Sequence, residues 1–446
     1  MEFATYLADL GGSAWTLASF LVAIAIIVTV HEYGHYIVGR WSGIQADVFS
    51  LGFGKRLAGW TDRRGTRWQI AALPLGGYVR FRGDADASSR ADRASLEGLT
   101  PAQLRQTLAG APLWARAATV VAGPLANFVL AFVLFAVVIL WKGVAVDQPI
   151  IGSVKDLPFA TAHLQAGDTI TAMAGQATPD LSSFLTVANT LGGTSPVRYQ
   201  VTRGDQTLTL DGPNPLPPFV ASVQDPSAAQ EAGIQAADVI VKAAGQDIAS
   251  FSQLPALIEA SGGAPVSLTL WRAGKTIDVT LTPRRRDLPT ADGGFETRWL
   301  IGITGGMVFE PLIRAPSLSE TLSLSWQQGW YMAKVNLMGL GYMVAGKISS
   351  CNVSSPIGMA KAVGAAARGG VESFLQMLAL VSLSIGLLNL FPIPVLDGGH
   401  LVFYAYEAVT GQPPHPGVLQ VLMIIGVSLL AALMLFAVFN DVIGCV

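Results

Sequence analysis

The sequence predicts an α-helical polytopic membrane protein with four transmembrane helices, a membrane-associated β-hairpin and two α+β domains inserted between the second and third helices. Three observations carry that expectation. The 446 residues are 51% hydrophobic and only 13% charged, where an ordinary soluble domain carries about 25% charge, so polar surface is too scarce for a purely soluble chain of this size. Four apolar runs reach the roughly 20 residues that a helix needs to cross a hydrocarbon layer of about 30 Å. Between the second and third of them the composition reverts to that of soluble domains and repeats itself.

The first half of the membrane region is expected over 1–148. Its opening run carries no charge from Gly11 to Val30 and continues helically into His31, which gives a first crossing over 11–38. Glu2 and Asp9 precede it with no Lys or Arg, the wrong sign for the leading region of a signal peptide, so the run reads as a retained anchor. A loop with eleven basic residues from Arg40 to Arg105 follows; basic excess beside a crossing marks the cytoplasmic side. Within it, Trp68 to Phe81 is apolar and broken by Pro74, Gly76 and Gly77, which reads as strand, turn, strand over 66–82. Irregular backbone at membrane depth survives only against protein or a water-filled cavity, so this hairpin is expected to dip in and line a site; a hairpin on the cytoplasmic surface is the alternative. The second crossing, over 117–141, returns the chain to the far side.

From Pro149 to Pro283 a motif recurs at an offset of 70 residues: Leu164-Gln165-Ala166-Gly167-Asp168 against Ile234-Gln235-Ala236-Ala237-Asp238. Gly175-Gln176 matches Gly245-Gln246, and Arg203 matches Arg272 with one residue of slippage. Each unit closes in alternating runs that read as β-hairpins. The two units, 149–214 and 215–284, each resemble a PDZ domain, although neither shows a clear carboxylate-binding loop. They are expected either to capture extended peptide on a sheet edge or to act as a spacer or size filter. A linker over 285–372 contains an apolar but interrupted stretch, 317–346, whose Trp326, Trp330 and Tyr331 suggest a helix lying at the interface; a fifth crossing is the alternative. The second membrane half, 373–446, carries a third crossing over 373–396 and a fourth over 418–440.

With four crossings both termini share a side with the repeated units. The net charge of -2 leaves no case for nucleic acid, and Cys351 and Cys445 read as two unrelated thiols rather than a disulfide framework.

The strongest local signal is His31-Glu32-Tyr33-Gly34-His35. Residues four apart on a helix share a face, so two imidazoles can hold one zinc ion while Glu32 stands beside them to take a proton from the attacking water. Burying all three in a membrane helix is expensive without a functional reason. A catalytic zinc needs a third protein ligand. Asp397, beside two glycines at the end of the third run, is the foremost candidate; His400 competes more weakly, and Asp397 as a helix cap is the bland alternative. His163 and His415 have no partner at useful spacing.

With these motifs in view the chain resembles, over nearly its whole length, the bacterial site-2 proteases, the RseP or RasP type of intramembrane zinc metalloprotease (peptidase family M50). The likeness is carried by HEYGH at His31 to His35, LPLGGYVRF ending at Phe81, AGPLANF from Ala122 to Phe128, the two PDZ-like units, and NLFPIPVLDGGH from Asn389 to His400. The resemblance implies that His31, His35 and Asp397 ligate one zinc ion, that Glu32 is the catalytic glutamate and that Asn389 contacts the substrate backbone. It also implies substrates that are single-pass membrane proteins in the bilayer, such as anti-sigma factors already trimmed by a site-1 protease. The location implied is a bacterial inner membrane, with periplasmic termini and PDZ-like units and a cytoplasmic first loop. Asn127 reads equally as a site residue or a helix-packing amide. Ser355, in NVSSPIGMA from Asn352 to Ala360, stands where the family usually has glycine, a change expected to alter local flexibility. Two other classes remain: a zinc transporter or sensor, which has no use for Glu32 between the histidines, and a PDZ scaffold, which needs neither zinc nor Glu32.

Overall fold

A computed structural model describes the chain outside residues 1, 85–96, 156, 158–162, 291–293, 350–353 and 445–446; Cys351 and Cys445 lie outside the described residues. Two compact units result, one of 1–138, 322–337 and 350–446, the other of 139–321 and 338–349. In chain order the main elements are α1 (Glu2–Trp41), β1 (Ala46–Thr61), β2 (Arg67–Phe81), α2 (Leu113–Lys142), β3 (Thr169–Met173), β4 (Gln176–Ala177), α3 (Leu181–Thr190), β5 (Val197–Arg203) and β6 (Gln206–Gly212). They continue with β7 (Val239–Ala243), β8 (Gln246–Asp247), α4 (Gln253–Ala260), β9 (Val266–Arg272), β10 (Lys275–Leu281), α5 (Leu318–Val344), α6 (Pro356–Arg368), α7 (Val371–Asn389), α8 (Asp397–Thr410) and α9 (Pro416–Phe439).

Four helices of the first unit are long and apolar enough to cross a membrane among the described residues: Gly12–Trp41, Leu113–Lys142, Val371–Asn389 and Pro416–Ile443. Their outer faces are apolar too. On α9, Ile424 and Leu435 are 58% and 72% exposed, an arrangement that suits hydrocarbon and not water. Inside the bundle, Phe20, Ala23 and Ile27 of α1 pack on Val363 of α6 and on Leu378 and Val381 of α7, while Ala131 and Phe135 of α2 meet Ala379 and Leu383 of α7. The helix α6 starts at a deliberate cap. Ser355 Oγ accepts from the Ile357 N–H, and the Asp441 carboxylate accepts from the N–H groups of Ser355 and Gly358 at 2.7 and 3.1 Å. The serine that departs from the family pattern therefore serves as an N-cap.

Two expectations are corrected in this unit. The third membrane helix stops at Asn389 instead of reaching 396, because Pro392 and Pro394 exclude helical geometry at and before themselves. The chain turns back over Leu390–Leu396 so tightly that a side chain at Gly398 would strike the carbonyls of Leu390 and Phe391, and one at Gly399 the carbonyl of Ile393. The predicted hairpin within 66–82 is a single extended segment, β2, whose two halves both pair with β1. Leu51 lies opposite Gly77 and also opposite Ile70, and Trp60 lies opposite Trp68. Pairing to a distant partner was invisible because Pro74, Gly76 and Gly77 signal a bend without saying what the arms bond to.

In the second unit the repeat becomes two copies of one arrangement. Antiparallel sheets run in the orders β4-β3-β5-β6 and β8-β7-β9-β10, with α3 and α4 between the inner strands in sequence. Irregularities fall at matching places, between Ile170 and Ala172 and between Ile240 and Lys242. The matched Asp and Arg are the reason the motif repeats. Arg203 clasps the buried Asp168 through Nε and Nη2 at 2.7 and 2.8 Å and also donates to the His163 carbonyl, and Arg272 does the same to Asp238 at 2.6 and 2.7 Å and to the Gly233 carbonyl. Residues assigned by sequence to the linker complete both copies: Phe309–Pro311 pairs with Ile151–Val154, and Ile303–Gly305 with Val220–Val223. Phe309 and Ile301 are buried in the respective cores.

The Arg203 hydrogen bonds hold the Asp168 carboxyl below the usual carboxylate range, against the opposing effect of its burial. A carboxyl depressed in the folded state stabilises it above the unfolded pKa of about 4 and ceases to as pH falls through the folded value. Arg203→Met is therefore expected to cost on the order of 3 kcal/mol, the scale for breaking a buried pair, and to move acid unfolding of this unit to higher pH. Fluorescence of Trp271, which packs on the same core, reads the midpoint; an unshifted midpoint excludes the contribution.

Candidate metal centre

The α1 backbone places His31 and His35 one turn apart with ring centroids 4.7 Å from each other. Their Nε2 atoms are 3.1 Å apart, and Asp397 Oδ2 lies 3.2 Å from His31 Nε2 and 3.5 Å from His35 Nε2. Both imidazoles are 12% exposed and the carboxylate 18%. A tetrahedral ion with bonds of about 2.05 Å separates its ligand atoms by about 3.3 Å, which is the size of this triangle. Asp397 Oδ2 is close to both rings but buried without a hydrogen bond of acceptable angle; it points at the space that the two nitrogens also face. These residues fit a zinc-sized cation. They are the group of potential ligands found among the described residues, and His400, the sequence competitor, is not in it.

Close helix packing sets the imidazoles. His35 Nδ1 donates to the Thr119 carbonyl of α2 at 2.9 Å, so its Nε2 keeps a free lone pair. Gly123 of α2 faces the His35 ring, and a Cβ there would collide with Nε2; Gly34 lies against the Ala122 carbonyl and Ala126 with equally little room. Asn127, fully buried on α2, presents its amide to His31 Nδ1 at 3.3 Å. Ser382 of α7 donates to the Asn127 carbonyl oxygen at 2.9 Å. The remaining ligand is placed by the turn after α7. Asp397 is the first residue of α8, and its side chain serves the cluster rather than capping that helix. Arg116 of α2 grips Glu407 of α8 through two hydrogen bonds of 2.9 and 2.5 Å and lies over the Tyr404 ring, which ties the Asp397 helix to the helix that steers both histidines.

Glu32 is buried beside the cluster, where the Val79 backbone N–H of β2 hydrogen-bonds its carboxylate. Gly77 allows β2 this near: a Cβ there would stand 3.3 Å from Glu32 Cγ and 2.8 Å from Val28 Cγ1. Asn389 closes α7 half-buried and takes no part in the hydrogen bonds of the cluster. His400 lines a cavity of about 1240 Å³ with Arg116, Tyr404 and Glu407. His415 accepts from the Gly417 N–H at the start of α9, and His163 is exposed on the second unit. Thr119, Gly123 and Asn127 went unassigned in the sequence. Their spacing of four put them on one helix face, but which face meets α1 is a tertiary fact.

Comparisons agree with the geometry. A sequence model of peptidase family M50 matches residues 19–433. The chain is 33% identical over 441 residues to a putative zinc metalloprotease of Agrobacterium fabrum, covering 98% of each chain. It is 33% identical over 457 residues to the regulator of sigma-E protease RseP of Salmonella typhimurium and 32% identical over 458 residues to that of Escherichia coli, in both cases across 96% of this chain and 98% of the relative.

Gly123→Ala tests the packing. Forcing a methyl group against His35 is expected to cost about 1–3 kcal/mol, the range for overpacking, read as a lower thermal midpoint in detergent; an unchanged midpoint means that the two helices have slack at this contact.

Proposed function

The chain belongs to peptidase family M50 and is a membrane zinc metalloprotease, and from that premise we propose that His31, His35 and Asp397 hold one catalytic zinc ion, that Glu32 is the general base, and that the protein cleaves membrane-spanning segments of other proteins within the bilayer. The observation that carries this reading is the triangle of two Nε2 atoms and one Oδ2 atom with sides of 3.1, 3.2 and 3.5 Å beside a buried glutamate. Zinc, when bound, supplies a Lewis acid that polarises the scissile carbonyl and acidifies water. Glu32, oriented by the Val79 N–H, takes the proton of the attacking water and returns it to the departing amine. The cavity of about 1240 Å³ beside α8, lined by Arg116, His400 and Glu407, supports an approach for water.

A substrate helix keeps its peptide groups in internal hydrogen bonds and must unwind before it can be cut. The segment of β2 next to Glu32 offers backbone groups to an unwound strand, and Asn389 contacts the substrate backbone. Relatives named regulators of sigma-E protease support a role in regulated intramembrane proteolysis, on substrates such as anti-sigma factors already trimmed outside the membrane. The location is a bacterial inner membrane with the first loop cytoplasmic and both termini periplasmic. The matching sheets over 149–214 and 215–284 are PDZ-like units on the periplasmic side that exclude untrimmed substrates.

Glu32→Gln is expected to keep stoichiometric zinc and to lose at least about 10²-fold in cleavage of a synthetic transmembrane helix, the scale of general acid–base catalysis; Asp397→Asn is expected to lower zinc content and cleavage together. Cleavage by Glu32→Gln at the parent rate would overturn the assignment of the base. Removing Pro149 to Pro283 is expected to admit untrimmed substrate, and a deletion variant that still accepts only trimmed forms rules out the filter.

A further inference from the structure

The buried Asn127 has no role in the chemistry derived above. It is 0% exposed in the middle of an apolar helix, where an amide costs free energy unless its hydrogen-bonding groups are satisfied. One end faces His31 Nδ1 at 3.3 Å, and the oxygen end, Oδ1, is buried without a partner. Resting on the zinc reading of the site, we propose that Asn127 is a positioning residue for the metal: its amide oxygen accepts the Nδ1–H of His31 and so aims the His31 Nε2 lone pair at the ion.

The reason lies in the two nitrogens of an imidazole. Neutral histidine carries one ring proton, so an Nε2 that ligates a metal requires the proton on Nδ1, and Nδ1 then needs an acceptor. For His35 that acceptor is the Thr119 carbonyl at 2.9 Å. His31 has its counterpart two turns further along the same face of α2, where the Asn127 side chain stands. An amide turned with Nδ2 toward Nδ1 matches the other tautomer, with the proton on Nε2 and no lone pair for a metal. Rotating it by 180° leaves the opposite end unpartnered instead, so packing alone is indifferent and the proton on His31 decides. The Asn127 backbone is fixed for this part by the Ser382 hydroxyl, which donates to its carbonyl at 2.9 Å. Carboxylate or carbonyl acceptors behind metal-bound histidines are a general device for fixing tautomer and ring orientation.

The test compares three full-length proteins in detergent: the parent, Asn127→Leu, which keeps the side-chain shape without an acceptor, and Asn127→Asp, which can only accept. Zinc affinity is measured by chelator competition with elemental analysis, and the thermal midpoint of the metal-free protein is recorded alongside. Asn127→Leu is expected to bind zinc about 10–100-fold more weakly, the usual effect of losing such a partner, while Asn127→Asp stays within a few-fold of the parent. Asn127→Ala replaces Asn127→Leu if the latter does not fold. Equal weakening in the Leu and Asp variants, or parental zinc affinity in the Leu variant with only its thermal midpoint moved, would falsify the proposal and make Asn127 a packing residue. A parent that binds no stoichiometric zinc overturns the metal reading itself, an outcome separate from those two.

Discussion

Two imidazoles and two carboxylates cannot stand unpartnered inside a bundle whose outer faces are apolar. Desolvating them costs several kcal/mol per charged group, and that cost has to be met by mutual contact, by hydrogen bonds from the surrounding backbone and by a cation. Every unusual feature of the first unit answers this constraint. The Nε2 and Oδ2 atoms converge within 3.5 Å, Val79 supplies an N–H to Glu32, and Thr119 supplies a carbonyl to His35.

One stripe of α2 organises the response. Arg116, Thr119, Gly123 and Asn127 follow at intervals of three and four residues, so they share a face. Along that face come a grip on the α8 helix, an acceptor for His35, a gap for its ring, and an amide at His31. The small residues are as necessary as the polar ones. A methyl group at Gly34 or Gly123 would push α1 and α2 apart, and a shift of about 1 Å is enough to spoil a catalytic constellation. The helix thus acts as a jig that registers two crossings and α8 to one another.

The second unit solves a different problem with ordinary means. Each copy of the repeat buries one aspartate under an arginine that also satisfies a backbone carbonyl, so the turn entering β3 or β7 is closed by side chains instead of by more secondary structure. Bidentate geometry makes this clasp specific to Arg. The aligned positions Gly167 and Ala237 in that turn both take positive φ, at 91° and 72°, where glycine is free and alanine pays about 1–2 kcal/mol. Ala237 holding that geometry measures how firmly the clasp fixes the turn.

What the sequence by itself determined was whatever short-range pattern can specify: four apolar runs, the pairing of His31 with His35 on one helical turn, the offset repeat and its Asp–Arg match. These depend on periodicity and composition within a few residues of each position. Resemblance added Asp397 and Asn389 to that reading, with Asn127 left open. Only the tertiary structure decided that β2 pairs with β1 and not with itself, that the third helix stops at Asn389, and that residues 301–311 complete sheets begun some 80 to 150 residues earlier. It also decided which carboxylate closes the triangle and what Asn127 faces. Those outcomes are contacts between segments far apart in the chain, chosen by which faces pack together, and no local pattern encodes the choice.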